Sequence, residues 1–475
     1  MLGLLALLAP PALLGIALAR LLGFTPRTDR LGWLAWSWML GAMATALVTF
    51  VWLWTPLRVD SGLVPSLAVL ALAALAWWLG RSVAPVPPAP LPAAPAWETW
   101  FFRGAVLFLC VLALQRMLDG NLFPIFEDDE AHVWALKAKV IFHSGGFTPA
   151  FEEALRNEHF VYHRDYPLLN PLLHLWTFAH RGEITHVVNR VPIQLFALAF
   201  VPALAAALRQ VVRPAAAVAL LFLVMQATET ARQGRTAHSD MAIALGTVVL
   251  FDAWMRWRAE GEQGWWRLAC VGAALMMYAK GEGLLLAAAI GCGLVATHLL
   301  RRRDVEAETA PALRPRARRA WLLLPLFIVA QTWLVNASFG FENDISVGDM
   351  REDSFPTLLA TQWRERLGPT LAWSWERMFS QMAWAGHTPA LFAVLGCLLA
   401  RRLRTDALAL PGLALIAAFV GILLVFLGTP HDIEWHLATA ASRVSWQLTP
   451  AIALWVGAVA GRFLPGFRGE LVDAT

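Results

Sequence analysis

The segment LGLLALLAPPALLGIALARLL, residues 2–22, holds a single charged side chain, that of Arg20, in a run of apolar residues. A run of this length is sufficient for a helix to cross a hydrocarbon core roughly 30 Å thick. No basic residue precedes it and no small-residue cleavage pattern follows it, so we expect a retained helix and not a signal peptide. Inside a bilayer each backbone amide must find its partner within its own segment, which makes a helix the expected structure.

Similar apolar runs recur along the whole chain. Apolar residues make up 58% of the chain and charged residues only 15%, whereas about 25% of the residues in a typical soluble domain are charged. The alternation of apolar and polar residues that a membrane barrel requires is absent. We therefore predict an all-α polytopic membrane protein with about thirteen transmembrane helices. The runs begin near Leu2, Leu31, Leu63, Phe101, Val191, Ala215, Met241, Arg267, Leu284, Trp321, Pro389, Pro411 and Gln447.

The arginines divide the loops between these runs into two sets. One set is rich in arginine, as in Arg301–Arg303, and the positive-inside rule places it in the cytoplasm. This assignment puts the N-terminus outside the membrane and the C-terminus inside. The other loops then share the outer face and hold most of the polar motifs. They comprise residues 121–190, 228–240, 280–283, 336–387 and 429–446.

A proline-rich segment divides the chain. Residues 81–97 contain six prolines and cannot be helical throughout, so we predict a stiff, extended cytoplasmic linker. It separates a three-helix membrane unit, residues 1–80, from a membrane core, residues 98–475.

Cysteine usage and net charge exclude several classes of protein. The four cysteines are isolated and form no Cys-x-x-Cys pair, so neither a disulfide framework nor a zinc site is expected. The net charge of +4 comes with arginines that are distributed as topology signals. Nucleic acid is therefore not an expected partner.

The first outer loop, residues 121–190, opens with the acidic motif FEDDEAHVWALKAK, residues 126–139. The motif predicts a surface helix with its acidic end at the membrane boundary. Helix capping explains one carboxylate, since Asp128 or Asp129 can accept bonds from the first-turn amides. It does not explain four acidic residues in a row, whose like charges raise one another's pKa. The cluster is therefore a candidate general base or cation site.

The second motif of this loop is HFVYHRDYPLLNPLL, residues 159–173. Its two prolines allow the segment to enter the membrane surface and bend. His163 and Arg164 offer donors suited to a phosphate group, and Tyr166 follows them. The alternative is an interfacial anchor, with the tyrosines and the arginine held at headgroup depth. Two of the three tyrosines of the chain fall in this window, and both interpretations stay open.

Two shorter outer segments carry charges at predicted helix ends. Asp240 lies in RTAHSDM, residues 235–241, at the mouth of a helix. Lys280 and Glu282 fill the hairpin YAKGEG, residues 278–283. Charges at membrane edges are often boundary markers, and a lysine and a glutamate this close can simply pair with each other.

The last outer loop reads TPHDIEWHLATAASR, residues 429–443. On a helix, Asp432, His436 and Arg443 fall near one face at offsets of four and seven. That face could hold a phosphate or sugar hydroxyls. The alternative interpretation is a solvated interfacial helix.

These motifs together resemble those of the large membrane glycosyltransferases of the C superfamily (GT-C), which take a sugar from a polyprenyl-phosphate carrier. The likeness is to bacterial relatives of the protein O-mannosyltransferases and the lipid A aminoarabinose transferases, and it runs from about Phe101 to Pro450. In the hairpin, glycine stands where those relatives have asparagine. The matching segments are residues 134–139 after the acidic cluster, the Tyr-Pro-Leu element of residues 163–171, the hairpin of residues 280–283, and Asp432, His436 and Arg443 followed by residues 447–450.

The resemblance implies a fold and a mechanism. Amphipathic surface helices of the first outer loop would cover a cavity at the outer leaflet. Asp129 would deprotonate an acceptor hydroxyl, which attacks the sugar C1 and expels polyprenyl phosphate, with Asp128 and Glu130 assisting. A hydroxyl acceptor needs a positioned base, and cations stabilise the departing phosphate. The implied donor-phosphate and substrate-binding residues are His163, Arg164, Tyr166, Asp240, Lys280, Glu282, Asp432, His436 and Arg443.

The implied partners are a polyprenyl-phosphate-linked sugar and a hydroxyl acceptor, which is a glycan, a lipid or a protein. The implied location is the bacterial cytoplasmic (inner) membrane, crossed many times, with the site facing the periplasm or cell exterior. Some superfamily members hold a divalent metal with such acidic loops, so no cofactor is certain and a divalent cation stays open.

Two other readings compete with this one. The first is a secondary transporter or flippase for a lipid-linked or anionic substrate, because intramembrane charges and broken helices mark transport paths. Against it, the halves of the chain show no internal repeat and charges are scarce in mid-helix. The second is an O-antigen ligase or polymerase, which uses the same kind of carrier but moves whole glycans.

Overall fold

The structure, a computed structural model, describes residues 2–57, 59–89, 91–92, 94–125, 127, 129–157, 163–185, 188–301, 320–341, 355–379, 396, 408–464 and 466–467. The regular elements among these residues are helices, and no β-strand occurs in the described ranges. This confirms the all-α prediction.

The first half of the chain forms four long helices and then a group of shorter ones. They are α1 (Leu2–Leu21), α2 (Arg30–Leu53), α3 (Leu63–Gly80), α4 (Ala96–Asn121), the π-helical segment π1 (Asp129–Ala135), α5 (Leu136–Ser144), α6 (Pro149–Asn157), α7 (Leu169–Arg181), α8 (Val191–Val211), α9 (Pro214–Met225) and α10 (Thr228–Gln233).

The second half continues with longer helices and ends in a broken one. They are α11 (Asp240–Glu260), α12 (Gln263–Ala279), α13 (Gly281–Arg301), α14 (Leu323–Phe339), α15 (Phe355–Phe379), α16 (Ala409–Gly428), α17 (Ile433–His436), the π-helical segment π2 (Leu437–Ala441), α18 (Ser442–Trp446) and α19 (Thr449–Phe463).

Six of the described helices are long and apolar enough to cross a membrane: α1, α2, α3, α4, α8 and α16. A seventh span results if the segment Ile433–Trp446 and α19, which meet at a bend of 42°, are taken as one. The thirteen predicted spans are therefore not confirmed, although helices occupy twelve of the predicted runs. The run near Pro389 lies outside the described residues. α9, with twelve residues, is only about 18 Å long at 1.5 Å per residue.

The three N-terminal helices pack together and also contact the rest of the chain. α1 and α2 cross at Gly15 and Gly41, where a Cβ on Gly15 would lie 1.7 Å from the carbonyl oxygen of Ser37. Small residues permit this close approach, as is common where membrane helices meet. α2 in turn packs against α7 and α8, so the N-terminal unit lies directly against the predicted core.

A buried charge cluster joins the N-terminal unit to α11. Arg256 donates to Asp252 at 2.9 Å and to Asp29 at 3.2 Å, and its guanidinium lies 4.6 Å from the Trp265 ring centroid. Asp29 also caps α2 by accepting the Gly32 N–H at 3.0 Å. Two carboxylates and an aromatic face together compensate the buried guanidinium.

Candidate functional site

The acidic motif of the first outer loop forms the π-helical segment π1, which continues into α5. Val133 and Trp134 of π1 are buried against Tyr166, so the segment is packed on one side. π-helical turns are frequent at functional sites. Of the three predicted catalytic residues, Asp129 and Glu130 lie at the start of this turn, and Asp128 lies outside the described residues.

Asp129 forms an ion pair with Arg443, which lies 314 positions away in α18. The same guanidinium has its Nε 3.7 Å from Oδ2 of Asp240, the first residue of α11. The Gln447 amide donates to the other oxygen of Asp240 at 2.5 Å. The Asp240 side chain is only 2% exposed, whereas that of Asp129 is 31% exposed. Asp129 is therefore the carboxylate that a solute can reach.

Lys280 and Glu282 lie next to this group, between α12 and α13. Their side chains pair at 2.8 Å, as their spacing suggested. The Lys280 ammonium also lies 5.8 Å from the Tyr166 ring centroid. We call Asp129, Tyr166, Asp240, Lys280, Glu282 and Arg443 the outer cluster.

The positive side chains of the outer cluster control the charge of Asp129. Burial alone would raise the pKa of this carboxyl, but the positive charges of Arg443 and Lys280 outweigh burial and hold the pKa well below its usual range. Asp129 is thus ionised at neutral pH. It accepts protons weakly while Arg443 stays paired with it.

Lys137 fixes the loop that carries the second motif. Its ammonium donates to the carbonyl oxygens of His163 and Arg164 at 3.1 Å each and to that of Tyr166 at 3.4 Å. His163 has a φ of 50°, in the left-handed region, and its ring stacks on that of Tyr166 at 4.3 Å. Because three carbonyls converge on one cation, the loop has a defined shape beneath the outer cluster.

Glu130 belongs to a different set of contacts from Asp129. It forms a buried ion pair with Arg190, and it accepts the Ala237 N–H at 3.0 Å. Arg190 also donates to the carbonyl oxygens of Gly120 and Phe123 at the end of α4. Glu130, Arg190, Gly120 and Phe123 border a cavity of about 390 Å³. The geometry assigns Glu130 to holding the loop ends together.

Removing the Arg190 guanidinium is expected to destabilise the fold strongly. An Arg190→Met variant leaves the Glu130 carboxyl group buried without its ion-pair partner, which costs about 3–5 kcal/mol. The double variant Arg190→Met, Glu130→Gln should recover part of the loss, because a neutral amide is easier to bury. Thermal unfolding in detergent measures both, with Arg235→Met, an exposed residue bordering the same cavity, as the matched control. Equal midpoints for Arg190→Met and the control would contradict this assignment.

The last outer segment is helical, but it is not the single regular helix that the spacing predicted. Asp432 is exposed and caps α17 by accepting the Trp435 N–H at 2.9 Å. His436 packs on the Phe426 ring at 4.8 Å. The π-helical segment π2 then changes the angular offset before α18, where Arg443 is buried. Arg443 thus joins the outer cluster, while Asp432 serves as a cap.

The lowered pKa values of two buried histidines predict how the stability of the fold depends on pH. Burial, with the positive charge of Arg190, lowers the pKa of His174 to about 3, and burial, with that of Arg443, lowers the pKa of His238 to about 4. Both pKa values return to about 6.5 when the chain unfolds, so below that pH the unfolded chain binds more protons than the folded chain. Stability therefore falls as the pH drops from about 6.5 towards 4. We expect a lower thermal midpoint at pH 5 than at pH 7, and a smaller drop in His174→Gln. An unchanged drop in that variant would contradict the assignment.

Several residues that shape this site were not predicted from the sequence. Lys137 and Gln447 lay inside quoted motifs without an assigned role, and Arg190 and His238 were each read as part of a loop. The one usable signal among them was the spacing of Gln447, which lies four positions after Arg443 and so falls on the same face of a helix. No group of three or more histidine, cysteine, aspartate or glutamate side chains that could hold a metal occurs in the described part of the chain.

Comparison of the chain with protein-family models, with curated proteins and with solved structures finds no match. The residues of the outer cluster are therefore the basis on which a function can be assigned.

Proposed function

We propose that the protein is an integral membrane glycosyltransferase that moves a sugar from a polyprenyl-phosphate carrier to a hydroxyl acceptor at the outer face of the membrane. The observation that carries this proposal is the convergence of Asp129, Arg443 and Lys280 from three distant parts of the chain. A reachable carboxylate can serve as the base for a hydroxyl acceptor, and two neighbouring cations can stabilise the charge on a departing phosphate.

Asp129 is the general base of the proposed reaction. Its carboxylate takes the proton of the acceptor hydroxyl as the oxygen attacks C1 of the sugar. The bond between C1 and the phosphate oxygen breaks, and polyprenyl phosphate leaves with the electron pair. The exposed edge of Asp129 supports this role, since Asp240 in the same cluster is almost fully buried.

Arg443 and Lys280 bind the donor phosphate in this proposal. Charge-assisted bonds from a guanidinium and an ammonium stabilise the negative charge that grows on the leaving phosphate. Tyr166 and Glu282 lie against Lys280 and position it. His163 and Arg164, on the loop held by Lys137, are further candidates for donor contacts, and His436 lies in the neighbouring segment.

The apolar helices and the charge of the loops support the membrane setting of this proposal. The positive-inside rule places the arginine-rich loops in the cytoplasm and the outer cluster on the opposite face. We propose the bacterial inner membrane, about thirteen spans, and a site open to the periplasm or cell exterior. A lipid-linked donor fits this location, because its polyprenyl chain stays in the bilayer while its phosphate reaches the surface.

The test is consumption of a panel of polyprenyl-phosphate sugars by the purified protein and its Asp129→Asn variant, with and without a chelator. Consumption of one donor by the wild-type protein, but not by Asp129→Asn, would support the proposal and identify the sugar. If the chelator abolishes donor consumption, the reaction requires a divalent cation. No consumption of any donor, with a hydroxyl acceptor of each class present, would reject the proposal.

A second candidate function, a secondary transporter or flippase, is favoured by one observation. The segment that carries Arg443 meets α19 at a bend of 42°, and buried charges at broken helices mark transport paths. Movement of a labelled polyprenyl-phosphate sugar across vesicles, without its consumption, would support this alternative.

A further inference from the structure

Arg443 is shared between two carboxylates that differ in their surroundings. Asp240 is buried and held by Gln447, and its Oδ2 lies 3.7 Å from the Arg443 Nε. Asp129 pairs with the Nη1 end of the same guanidinium and stays partly exposed. One carboxylate partner of the arginine is therefore buried and hydrogen-bonded to Gln447, and the other is partly exposed.

This arrangement conflicts with the two roles that the proposed function gives to the pair. A guanidinium that neutralises Asp129 is occupied when the donor phosphate needs it. A carboxylate so paired has a lowered pKa and is a weak base. The charged and titratable groups that face Asp129 are Arg443, Lys280, His238 and Tyr166. Of these, Arg443 alone is bonded to it directly.

We propose that the donor phosphate and Asp129 compete for Arg443, whose ion pair with the buried Asp240 keeps it within reach of both, so that donor binding releases Asp129 to act as the base. This inference rests on the proposed function and adds its order of events. The donor binds first, and the acceptor hydroxyl meets an activated carboxylate only in the donor complex. Without a donor Asp129 stays paired, so the site does not activate water.

Competition for one arginine has a consequence that a simple binding site lacks. Coupling between two ligands of one group is reciprocal. If phosphate binding releases Asp129 from Arg443, then the pairing of Asp129 with Arg443 weakens phosphate binding, and removing the charge of Asp129 should tighten it. Asp129→Asn is therefore expected to bind the carrier more tightly than the wild type while losing transfer.

The first experiment measures the dissociation constant of undecaprenyl phosphate for the wild type, Asp129→Asn and Glu434→Gln in nanodiscs. Glu434 is an exposed carboxylate of the same outer segment and serves as the matched control for charge. We expect binding at least about fivefold tighter for Asp129→Asn, no change for Glu434→Gln, and weaker binding for Asp240→Asn, which loses the buried ion-pair partner of Arg443.

The outcomes separate this inference from the proposed function. No binding of undecaprenyl phosphate by the wild type would reject both. Binding by the wild type with equal or weaker binding by Asp129→Asn would reject the competition and leave the glycosyltransferase proposal standing. Equal tightening in Glu434→Gln would show a general charge effect and would also reject the competition.

A second measurement uses the unaltered chain and does not depend on a variant folding. Carbodiimides modify protonated carboxyl groups, and peptide mass spectrometry locates the label. Labelling of Asp129 should increase when undecaprenyl phosphate is added, and it should not increase with the neutral polyprenol. Labelling that is unchanged by the phosphate would overturn the inference.

Discussion

Asp129→Asn is expected to lower the rate of sugar transfer about 10³-fold, within the range of a lost general base. The asparagine amide occupies the same space but cannot accept the proton of the acceptor hydroxyl. Thermal stability should stay near that of the wild type, because the side chain is partly exposed and Arg443 keeps Asp240 as an ion-pair partner. Single-turnover transfer with a saturating donor measures the chemical step without the contribution of binding.

The matched control for this prediction is Glu434→Gln, which removes one carboxylate from the same side of the protein. Its transfer rate should equal that of the wild type. Asp129→Glu should keep part of the activity, since it retains the base at a shifted position. If Asp129→Asn transfers sugar at the wild-type rate, the base is another residue and the proposed mechanism is wrong.

Arg443→Ala is expected to lower kcat/KM for the donor about 10²- to 10³-fold, the cost of removing one group that stabilises developing negative charge. It also leaves the buried carboxylate of Asp240 without its nearest guanidinium. The pKa of Asp129 should rise in this variant, because burial remains while its main opposing charge is gone. The acid limb of the pH–rate profile should therefore move to higher pH, which a purely structural defect would not cause.

Arg443→Lys separates the charge of this residue from its shape. It should keep the acid limb near its wild-type position but bind the donor less well, because an ammonium cannot bridge Asp129 and Asp240 in the same way. Arg235→Ala, at an exposed arginine, is the control for loss of positive charge. Normal donor kinetics in Arg443→Ala would exclude the arginine from phosphate binding.

The helices could be predicted from the sequence because the free energy of burying a run of apolar residues is a local property. The run that was expected to begin near Val191 is α8, which begins at that residue. The lengths of the helices, and hence the number of membrane spans, were less predictable. Whether α9 or α14 crosses a membrane depends on the helices around it, and the apolar run alone does not contain that information.

The site was predictable only where its contacts are local. Lys280 and Glu282 are two positions apart, and their pairing was anticipated and is present. The pairing of Asp129 with Arg443 joins residues 314 positions apart, and no spacing rule reaches that far. Asp432 and Arg443 were placed on one helical face, but π2 lies between them and alters the offset.

The sequence by itself determined the class of the protein, the apolar helices and the segments that carry its polar motifs, because these depend on composition and short-range order. Only the tertiary structure decided what each carboxylate does. Asp129 and Glu130 are adjacent and chemically alike, yet one faces Arg443 and the other faces Arg190. The reason is that successive residues of a helical turn point in different directions, and the partners they meet are set by the packing of distant helices.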